Sequence, residues 1–477
     1  MGLRIHAFSD DAMGTMDATA LAGAIARGEV SEQEVLEAAI ARAEKVNPYV
    51  NAIVIKMYDE ARRRVGRLPK NKLYGVPTFV KDTDAVAGYP TQLGTGAFKA
   101  RIPARNSKFI QQYFFTGMNC LGKTTLPEFG LICSTENPRW GITRNPWNTD
   151  YTTGGSSSGS AALVAAGVVP IAMANDGGGS IRIPAAICGL VGLKPSRHRL
   201  HGVDGGALLP IQIIHQGVLT RTVRDTALFL AEAEKFYRHK KLPPLGFVEG
   251  PSKKRLRIAT VANLPPGTPG HQDEDTQRAI SETIHLLESL GHRVDTVPLP
   301  IDANTMIDHF LHYYGFMSYI VTHWSIFTLG SKVDHSLLEP FTTGLYKVFK
   351  KNPSRLIPNI RTMRRIVAKA NTLFDTYDVV LTPVLSHKTP PIGYLSPDLP
   401  EEEIIRRVIH FATYTGLNNV SGAPGISLPL STDSNDLPLG MHFSARYGND
   451  RLLLELAYEL EAAKPWRMMY QTKTTQQ

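Results

Sequence analysis

The sequence predicts an α/β protein in which helices cover both faces of a β-sheet. Short apolar segments typical of strands alternate along the chain with segments whose apolar residues recur at helical spacing. Of the 477 residues, 43% are hydrophobic and 20% are charged, which is typical of a globular protein and excludes an intrinsically disordered chain. The length alone would accommodate about three domains, and the sequence contains no internal repeat.

The first predicted element is a helical segment over residues 17–46. Ser31 and Glu34 have the spacing of a capping box, and the apolar residues that follow them recur at helical spacing. Asn47-Pro48 predicts the end of this helix, because the residue before a proline avoids the helical conformation.

Apolar runs predict the strands that follow, and apolar residues at helical spacing predict the helices. The strand over 74–80 matters most, because it would carry Lys81 at its end. In chain order the others are a helix over 107–116, a strand over 119–121, an alanine-rich helix over 161–166, a strand over 190–193, a helix over 221–229, a strand over 257–261, a helix over 276–290, a strand over 379–384, a helix over 401–413 and a strand over 425–430.

The net charge of +9 comes partly from two basic segments, residues 235–257 and 347–369. Basic segments can bind nucleic acid, but these contain no recognition motif and are interrupted by prolines, so we interpret them as solvated faces. The N-terminal residues include acidic side chains where a signal peptide needs an apolar run. The longest apolar stretch, 161–174, is too short to span a bilayer. We therefore expect a cytoplasmic protein with neither a nucleic-acid nor a membrane partner.

The cysteine and histidine pattern gives no support for a disulfide framework or a metal centre. Cys120, Cys133 and Cys188 are odd in number and lack CxxC spacing, so we interpret them as small buried hydrophobic residues. His309 and His312 have the spacing of metal ligands on a helix, but no third ligand is apparent, which favours a structural role. We expect neither a metal nor another cofactor.

Two short motifs match well-known catalytic patterns without the context that those patterns need. Residues 117–124 match the phosphate-binding pattern GxxxxGK[ST], but a helix-like segment rather than a strand precedes them, which argues against nucleotide binding. Residues 155–159 match GxSxG with Ser157 at the centre. The preceding residues 145–153 are polar and cannot form the apolar strand of a nucleophile elbow, which argues against an α/β-hydrolase.

Three other pieces of sequence together suggest acyl-transfer chemistry: residues 154–160, residues 175–184 and Lys81. Gly177, Gly178 and Gly179 directly precede Ser180, and successive glycines let backbone N–H groups turn toward a developing oxyanion. A serine nucleophile needs a base, and a lysine can serve if burial lowers its pKa enough to make it neutral. Taken alone, such a glycine run is more typical of a flexible loop.

At these residues the sequence resembles the amidase signature family, and the resemblance extends over most of the chain. It implies a single domain over 1–477 with a mixed, twisted β-sheet between two layers of helices. Within that domain we expect an N-terminal helical segment (1–70), a signature core (71–230), a helical region that forms the substrate pocket (231–370) and a C-terminal part of the core (371–477). The blocks that carry the resemblance are GKTTLPEFG (122–130), TRNPW (143–147), GGSSSGSA (154–161), 175–195 ending in CGLVGLKP, GVLTRTVRDTA (217–227) and VSGAPGISLP (420–429).

The resemblance also implies a role for each site residue. It implies a catalytic triad in which Ser180 is the nucleophile, Ser156 is a bridging serine that follows a cis peptide bond, and Lys81 is the base. The N–H groups of Gly177, Gly178 and Gly179, together with that of Ser180, would hold the oxyanion. We expect Asp176 and Arg182 to pair and brace the loop. Ser157 is assigned a supporting role, and the substrate pocket is assigned to Gly130, Leu131, Ile132 and Cys133.

By this resemblance the protein is a hydrolase of aryl or apolar amides that also accepts carbamates and esters, through an acyl-enzyme on Ser180. The blocks at 134–141 and 377–383 are most similar to bacterial nylon-oligomer hydrolases, urethanases and aryl acylamidases. The partner is then a small-molecule amide or carbamate, and the chain is a monomer or homodimer. Aromatic residues over 309–329 form either a core helix or a pocket wall, and the glycine-containing loop 197–216 forms a mobile rim.

Three alternatives stay open. The first is a cyclic or linear amide-oligomer hydrolase, although Leu131 stands where cyclic-dimer hydrolases tend to have a polar residue. The second is an amidotransferase A-type subunit that needs partners, although Ile183 stands where such subunits typically have glutamine. The third is a noncatalytic relative, which the presence of all three triad residues argues against.

Overall fold

An eight-stranded mixed sheet forms the centre of the molecule in the computed structural model, which describes residues 2–261, 269 and 271–471. A second sheet of three strands and a ribbon of two lie beside it. The strands are β1 Ile53–Lys56, β2 Pro77–Lys81, β3 Asn119–Thr124, β4 Glu136–Asn137, β5 Gly141–Ile142, β6 Ile171–Asp176, β7 Val191–Lys194, β8 His215–Thr220, β9 Arg257–Thr260, β10 Arg293–Thr296, β11 Val379–Pro383, β12 Gly425–Thr432 and β13 Pro438–Ala445.

Helices surround these sheets. They are α1 Ala18–Arg27, α2 Glu32–Val50, α3 Tyr58–Arg64, α4 Lys108–Phe115, α5 Ser158–Ala165, α6 Arg182–Cys188, α7 Val223–Phe236, α8 Glu274–Ser289, α9 Ala303–His323, α10 Ser325–Thr328, α11 Pro340–Lys351, α12 Leu356–Asn371, α13 Glu401–Phe411, α14 Gly416–Ser421 and α15 Asp450–Ala463. Among the described residues, no helix is both long and apolar enough to cross a membrane.

The large sheet has the strand order β10-β9-β11-β13-β12-β7-β8-β6. Its β10, β9 and β11 are parallel, and the other neighbouring pairs are antiparallel. Side chains along β6 alternate between two hydrophobic cores: Ile171 and Met173 belong to the core with α7, α8 and α15, whereas Ala172 and Ala174 belong to the core with α5 and α6. This alternation confirms the prediction of a sheet with helices on both faces.

The three-stranded sheet, with the order β1-β3-β2, brings the first catalytic candidate to the large sheet. Its β2 runs parallel to β3 and also contacts β6, the edge strand of the large sheet. Lys81 is the last residue of β2, as predicted, and Asp176 is the last residue of β6. The ends of these two strands therefore meet, and the candidate site forms there.

The helical segment predicted over 17–46 is two helices, and the predicted stop at Asn47-Pro48 is wrong. The first helix ends at Gly28, whose φ of +71° is in the left-handed region, and Ser31 then caps α2 through the predicted capping box. Pro48 lies in the last turn of α2, and the helix ends only at Asn51. Just beyond the helix, the Asn47 side chain accepts hydrogen bonds from the amides of residues 52 and 53.

The remaining predicted strands and helices are all present with shifted ends, and seven strands were missed. They are β1, β4, β5, β6, β8, β10 and β13. The sequence of β6 continues an apolar, alanine-rich helix without a polar break, so periodicity could not separate the two elements. The observed β3 is longer than predicted and contains Gly122 and Lys123 of the GxxxxGK[ST] match. Because these residues lie within a strand, they cannot form a phosphate-binding turn. All three cysteines are buried free thiols, as expected.

Candidate active site

Lys81 occupies the centre of a fully buried polar cluster. Its Nζ lies 2.8 Å from Ser156 Oγ, 3.1 Å from Ser157 Oγ and 2.7 Å from Asn175 Oδ1. The two serines come from the turn that precedes α5, and Asn175 comes from β6. The structure thus brings Lys81 and Ser156 together, as expected, and adds Asn175.

Burial changes the acid–base chemistry of Lys81. Desolvation lowers the pKa of its ammonium group to about 7, although the carboxylates of Asp176 and Asp84 act in the opposite direction. An amine with this pKa is substantially neutral at physiological pH, so Lys81 can accept a proton there.

Ser156 follows a cis peptide bond, at the position that the sequence suggested. Gly155 packs tightly against another chain segment, since a Cβ on it would fall 2.9 Å from the carbonyl carbon of Cys133. Gly130 lies next to Ser156. Its φ is +67°, and a Cβ on it would lie 3.2 Å from Ser156 Oγ. These two glycines let the backbone approach Ser156 closely.

Ser180 lies on the loop between β6 and α6 and lines a cavity. Ser157 connects it to the cluster, because the Ser157 hydroxyl donates to the carbonyl oxygen of Ser180 at 2.6 Å. Ser180 is 9% exposed, whereas Ser156 is 1% and Lys81 0% exposed. Of the three triad candidates, Ser180 is therefore the one that a substrate in the cavity can reach.

A buried ion pair between Arg182 and Asp176 stabilises the loop that carries Ser180. The guanidinium of Arg182 donates to both carboxylate oxygens of Asp176 at 2.9 Å, and both side chains are fully buried. Asp176 also accepts hydrogen bonds from the side chain of Asn419 and the amide of Ile181. Burial would raise the pKa of the Asp176 carboxyl, but Arg182 more than reverses this and holds the pKa well below its usual range. The predicted pairing of Asp176 with Arg182 is confirmed.

The three glycines are not equivalent, because only the amide of Gly179 already has an acceptor among the described residues. Its N–H donates to Asp176 Oδ1 at 2.7 Å, so this donor is already engaged. Its φ is +134° and a Cβ would lie 2.5 Å from Thr415 Oγ1, which explains the glycine but not an oxyanion contact. In the described part of the chain, the amides of Gly177, Gly178 and Ser180 have no hydrogen-bond acceptor. These three amides remain the donors that could face an oxyanion.

The cavity next to Ser180 has a volume of about 220 Å³ and an apolar wall. Within the described residues, no Asp, Glu, Lys or Arg lines it. His442 does line it, but burial lowers the pKa of its imidazole well below the usual value, and Arg182 lowers it further, so this ring is neutral. Leu131, Ile132 and Cys133 line the cavity as expected, whereas Gly130 lies behind Ser156 rather than in the wall.

The comparisons with known proteins agree with this geometry. Residues 34–454 match the family model described as Amidase. The chain belongs to the amidase signature family. A Mycobacterium tuberculosis protein named "Putative amidase AmiC" is 46% identical to this amidase over 471 residues, which cover 98% of each chain. The protein is therefore a hydrolase of C–N bonds in amides.

Two solved structures share the fold. The substrate complex of 6-aminohexanoate cyclic dimer hydrolase superposes with a TM-score of 0.84 at 29% identity and covers 96% of this amidase and 99% of that chain. A bacterial aryl acylamidase of the amidase signature family gives a TM-score of 0.82 at 27% identity, with coverage of 94% and 96%. The large mixed sheet between helices is thus the family fold.

The aromatic stretch in this amidase is both core and pocket wall. Phe310 and Tyr314 stack on α9 and line the cavity, and the Tyr314 hydroxyl donates to the carbonyl oxygen of Leu131. Tyr313, on the same helix, is fully buried in a hydrophobic cluster, whereas Phe327 on α10 is 91% exposed. Alternate sides of one helix account for both interpretations.

His312 in the same helix donates to the carbonyl oxygen of Asn352, which supports its structural role. The described residues contain no cluster of three His, Cys, Asp or Glu side chains suited to a metal ion. The loop 197–216 is anchored at its two ends, where Arg197 donates to three backbone carbonyls and Ile211 and Ile213 are buried, whereas Leu208 in its middle is 90% exposed.

Sequence reasoning missed several polar residues that complete the site. In the sequence, Asn175 stands out only as the residue before Asp176. Its contact with Lys81 depends on β6, a strand that the sequence pattern did not predict. Thr415, from a region distant in sequence, donates to the carbonyl oxygen of Gly178. Asn419 bonds both Asp176 and Arg182. Nothing local in the sequence marks these contacts, because each depends on chain segments that meet only in the fold.

Proposed function

We propose that this amidase hydrolyses uncharged aryl or apolar amides through an acyl-enzyme on Ser180, and that carbamates and esters react at the same site. One observation carries the proposal: Lys81, buried and bonded to Ser156, lies beneath a loop that presents Ser180 to an uncharged cavity.

In the proposed first step, Ser180 Oγ attacks the carbonyl carbon. Its proton passes to Ser156, and the Ser156 proton passes to neutral Lys81. The amides of Gly177, Gly178 and Ser180 stabilise the oxyanion. As the tetrahedral intermediate collapses, Ser156 returns a proton to the leaving amine and recovers one from Lys81. Water then attacks the acyl-enzyme by the same route and releases the acid.

The cavity wall supports the choice of substrate class. A charged group buried there would lose its hydration without gaining an ionic partner, which is strongly unfavourable. The stacked rings of Phe310 and Tyr314 offer a flat apolar surface that suits an aryl group. A carbamate presents the same trigonal carbonyl to Ser180. When the amine leaves, the acyl-enzyme is a carbonate ester, and the carbonic acid monoester that water releases from it loses CO2.

An amide oligomer is the second candidate substrate. Its support is the similarity to the cyclic dimer hydrolase fold over 96% of this chain. Leu131 gives that candidate less support, because it lines the cavity with an apolar side chain.

The test is amine release from an N-aryl acetamide and an N-aryl carbamate that share one amine, with 6-aminohexanoate cyclic dimer as a third substrate. We expect release from both aryl substrates, its loss in Ser180→Ala, and full activity in the surface control Ser289→Ala. Retained turnover in Ser180→Ala would refute the nucleophile. Release from the amide alone would remove carbamates from the proposal, and cleavage of the cyclic dimer alone would replace the aryl class with oligomers.

A further inference from the structure

The hydrogens around Lys81 can be assigned from the direction of each hydrogen bond. The Ser157 hydroxyl hydrogen is committed to the carbonyl oxygen of Ser180, so Ser157 Oγ can only accept from Lys81. Asn175 Oδ1 carries no hydrogen and also can only accept. A neutral amine has two N–H hydrogens, and these two acceptors use both. The nitrogen lone pair is then left for the third neighbour, the hydroxyl of Ser156.

This assignment depends on which way the Asn175 amide faces, and a chain of hydrogen bonds fixes that orientation. Asn175 Nδ2 donates to Thr83 Oγ1 at 2.8 Å, and the Thr83 hydroxyl donates to Asp84 Oδ2 at 3.1 Å. Because the Thr83 hydrogen points to a carboxylate oxygen, its own oxygen offers a lone pair to Asn175. A flipped amide would place Nδ2 against the N–H groups of Lys81 and Oδ1 against Thr83, and both contacts would weaken.

Asp84, the far end of this chain, is itself fixed by other elements of the fold. Gln216 Nε2 on β8 lies 3.1 and 3.0 Å from its two carboxylate oxygens, and Ser107 Oγ at the start of α4 lies 3.1 Å from Oδ1. Asp84 is 4% exposed. The orientation of Asn175 is therefore anchored to two separate elements.

We propose that Asn175, oriented by Thr83 and Asp84, is a positioning residue that directs the lone pair of Lys81 to the Ser156 hydroxyl. The proposal rests on the proposed function, because it concerns the base of that reaction. Asn175 itself needs no contact with the substrate. Its role is to occupy one N–H of Lys81 so that proton transfer from Ser156 follows a single geometry.

The charged groups near Lys81 determine how a variant of Asn175 should behave. Asp176 and Asp84 both favour the charged ammonium, and Asp176 is paired with Arg182. The neighbouring Asp82 is paired with Lys123 at 2.8 Å. Replacing Asn175 by aspartate would add an unpaired carboxylate at hydrogen-bond distance from Lys81. That charge would raise the pKa of Lys81 by about one to three units.

The first experiment measures the pH profile of kcat/KM for Asn175→Asp and for wild type on the N-aryl acetamide. We expect the inflection of the variant to move about one to three pH units upward, whereas a residue with a merely structural role would lower the rate without moving it. An unmoved inflection in a folded, active variant would overturn the proposal.

The second experiment uses Thr83, which does not line the cavity. We expect Thr83→Val to lower kcat about 10- to 100-fold with KM unchanged, Thr83→Ser to restore the rate, and the exposed control Thr296→Val to have no effect. A Thr83→Val protein with wild-type kcat and pH profile would overturn the proposal, as would equal losses in Thr83→Ser and Thr83→Val. Retained activity in Ser180→Ala would instead refute the proposed function, so the two failures are distinguishable.

Discussion

The stability of the catalytic loop should depend on Arg182 more than on any exposed charge. The perturbation is Arg182→Met, which keeps much of the side-chain volume and removes the guanidinium. In the wild type both partners of the Arg182–Asp176 pair are fully buried, and Asp176 also accepts the amide of Gly179. Removing one partner of a buried pair leaves an uncompensated charge and costs about 3–5 kcal/mol. Urea denaturation of wild type and variant measures this difference in the free energy of unfolding.

The pH dependence of that loss tests its cause. In the wild type the folded pKa of Asp176 is depressed, so its contribution is present above the unfolded pKa and is constant between pH 5.5 and 8. Without Arg182, burial would raise the folded pKa instead. The loss in Arg182→Met should then be larger at pH 8 than at pH 5.5. The matched control is Arg406→Met, which breaks an exposed pair with Glu403 and should cost much less. An Arg182→Met protein that is no less stable than Arg406→Met would refute the reasoning.

Two further predictions concern the cavity and the packing beside it. Leu131→Asp places a carboxylate in the uncharged wall, and we expect KM for the N-aryl acetamide to rise about tenfold or more, whereas the exposed control Leu208→Asp should leave KM unchanged. An unchanged KM in Leu131→Asp would contradict the position given to the substrate. Gly159→Ala would place a Cβ 2.3 Å from the carbonyl oxygen of Ala52. We expect a loss of about 1–3 kcal/mol in urea denaturation and almost none in Gly202→Ala, where no atom lies within 4 Å; equal values would contradict the packing argument.

Sequence reasoning succeeded where local signals were strong. The capping box at Ser31 and the strand that ends at Lys81 depend on neighbouring residues alone, and both are present. The prediction failed at Pro48 because a proline near a helix end removes only one amide donor, and the helix continues to Val50. Beyond its end, the Asn47 side chain accepts hydrogen bonds from the amides of residues 52 and 53.

The site was predictable to the extent that it lies in contiguous motifs. Ser156 and Ser180 could be located through the resemblance of their glycine-rich motifs to the amidase signature, and Asp176 and Arg182 from their position beside the loop. The engagement of the Gly179 amide by Asp176 was not predictable, because it depends on which way one peptide faces. Asn175 could in principle have been noticed as a polar residue at the end of an apolar run, next to Asp176.

The central claim is that Lys81 acts as a neutral base, and the pH dependence of wild-type kcat/KM tests it most directly. The substrate should be an N-aryl acetamide with no ionisable group, measured from pH 5 to pH 10. With the pKa of Lys81 at about 7, we predict a rate that rises about tenfold per pH unit below that value and is level above it. A rate that keeps rising through pH 9 toward the ordinary lysine value of 10.5, or one that does not change with pH, would contradict the account.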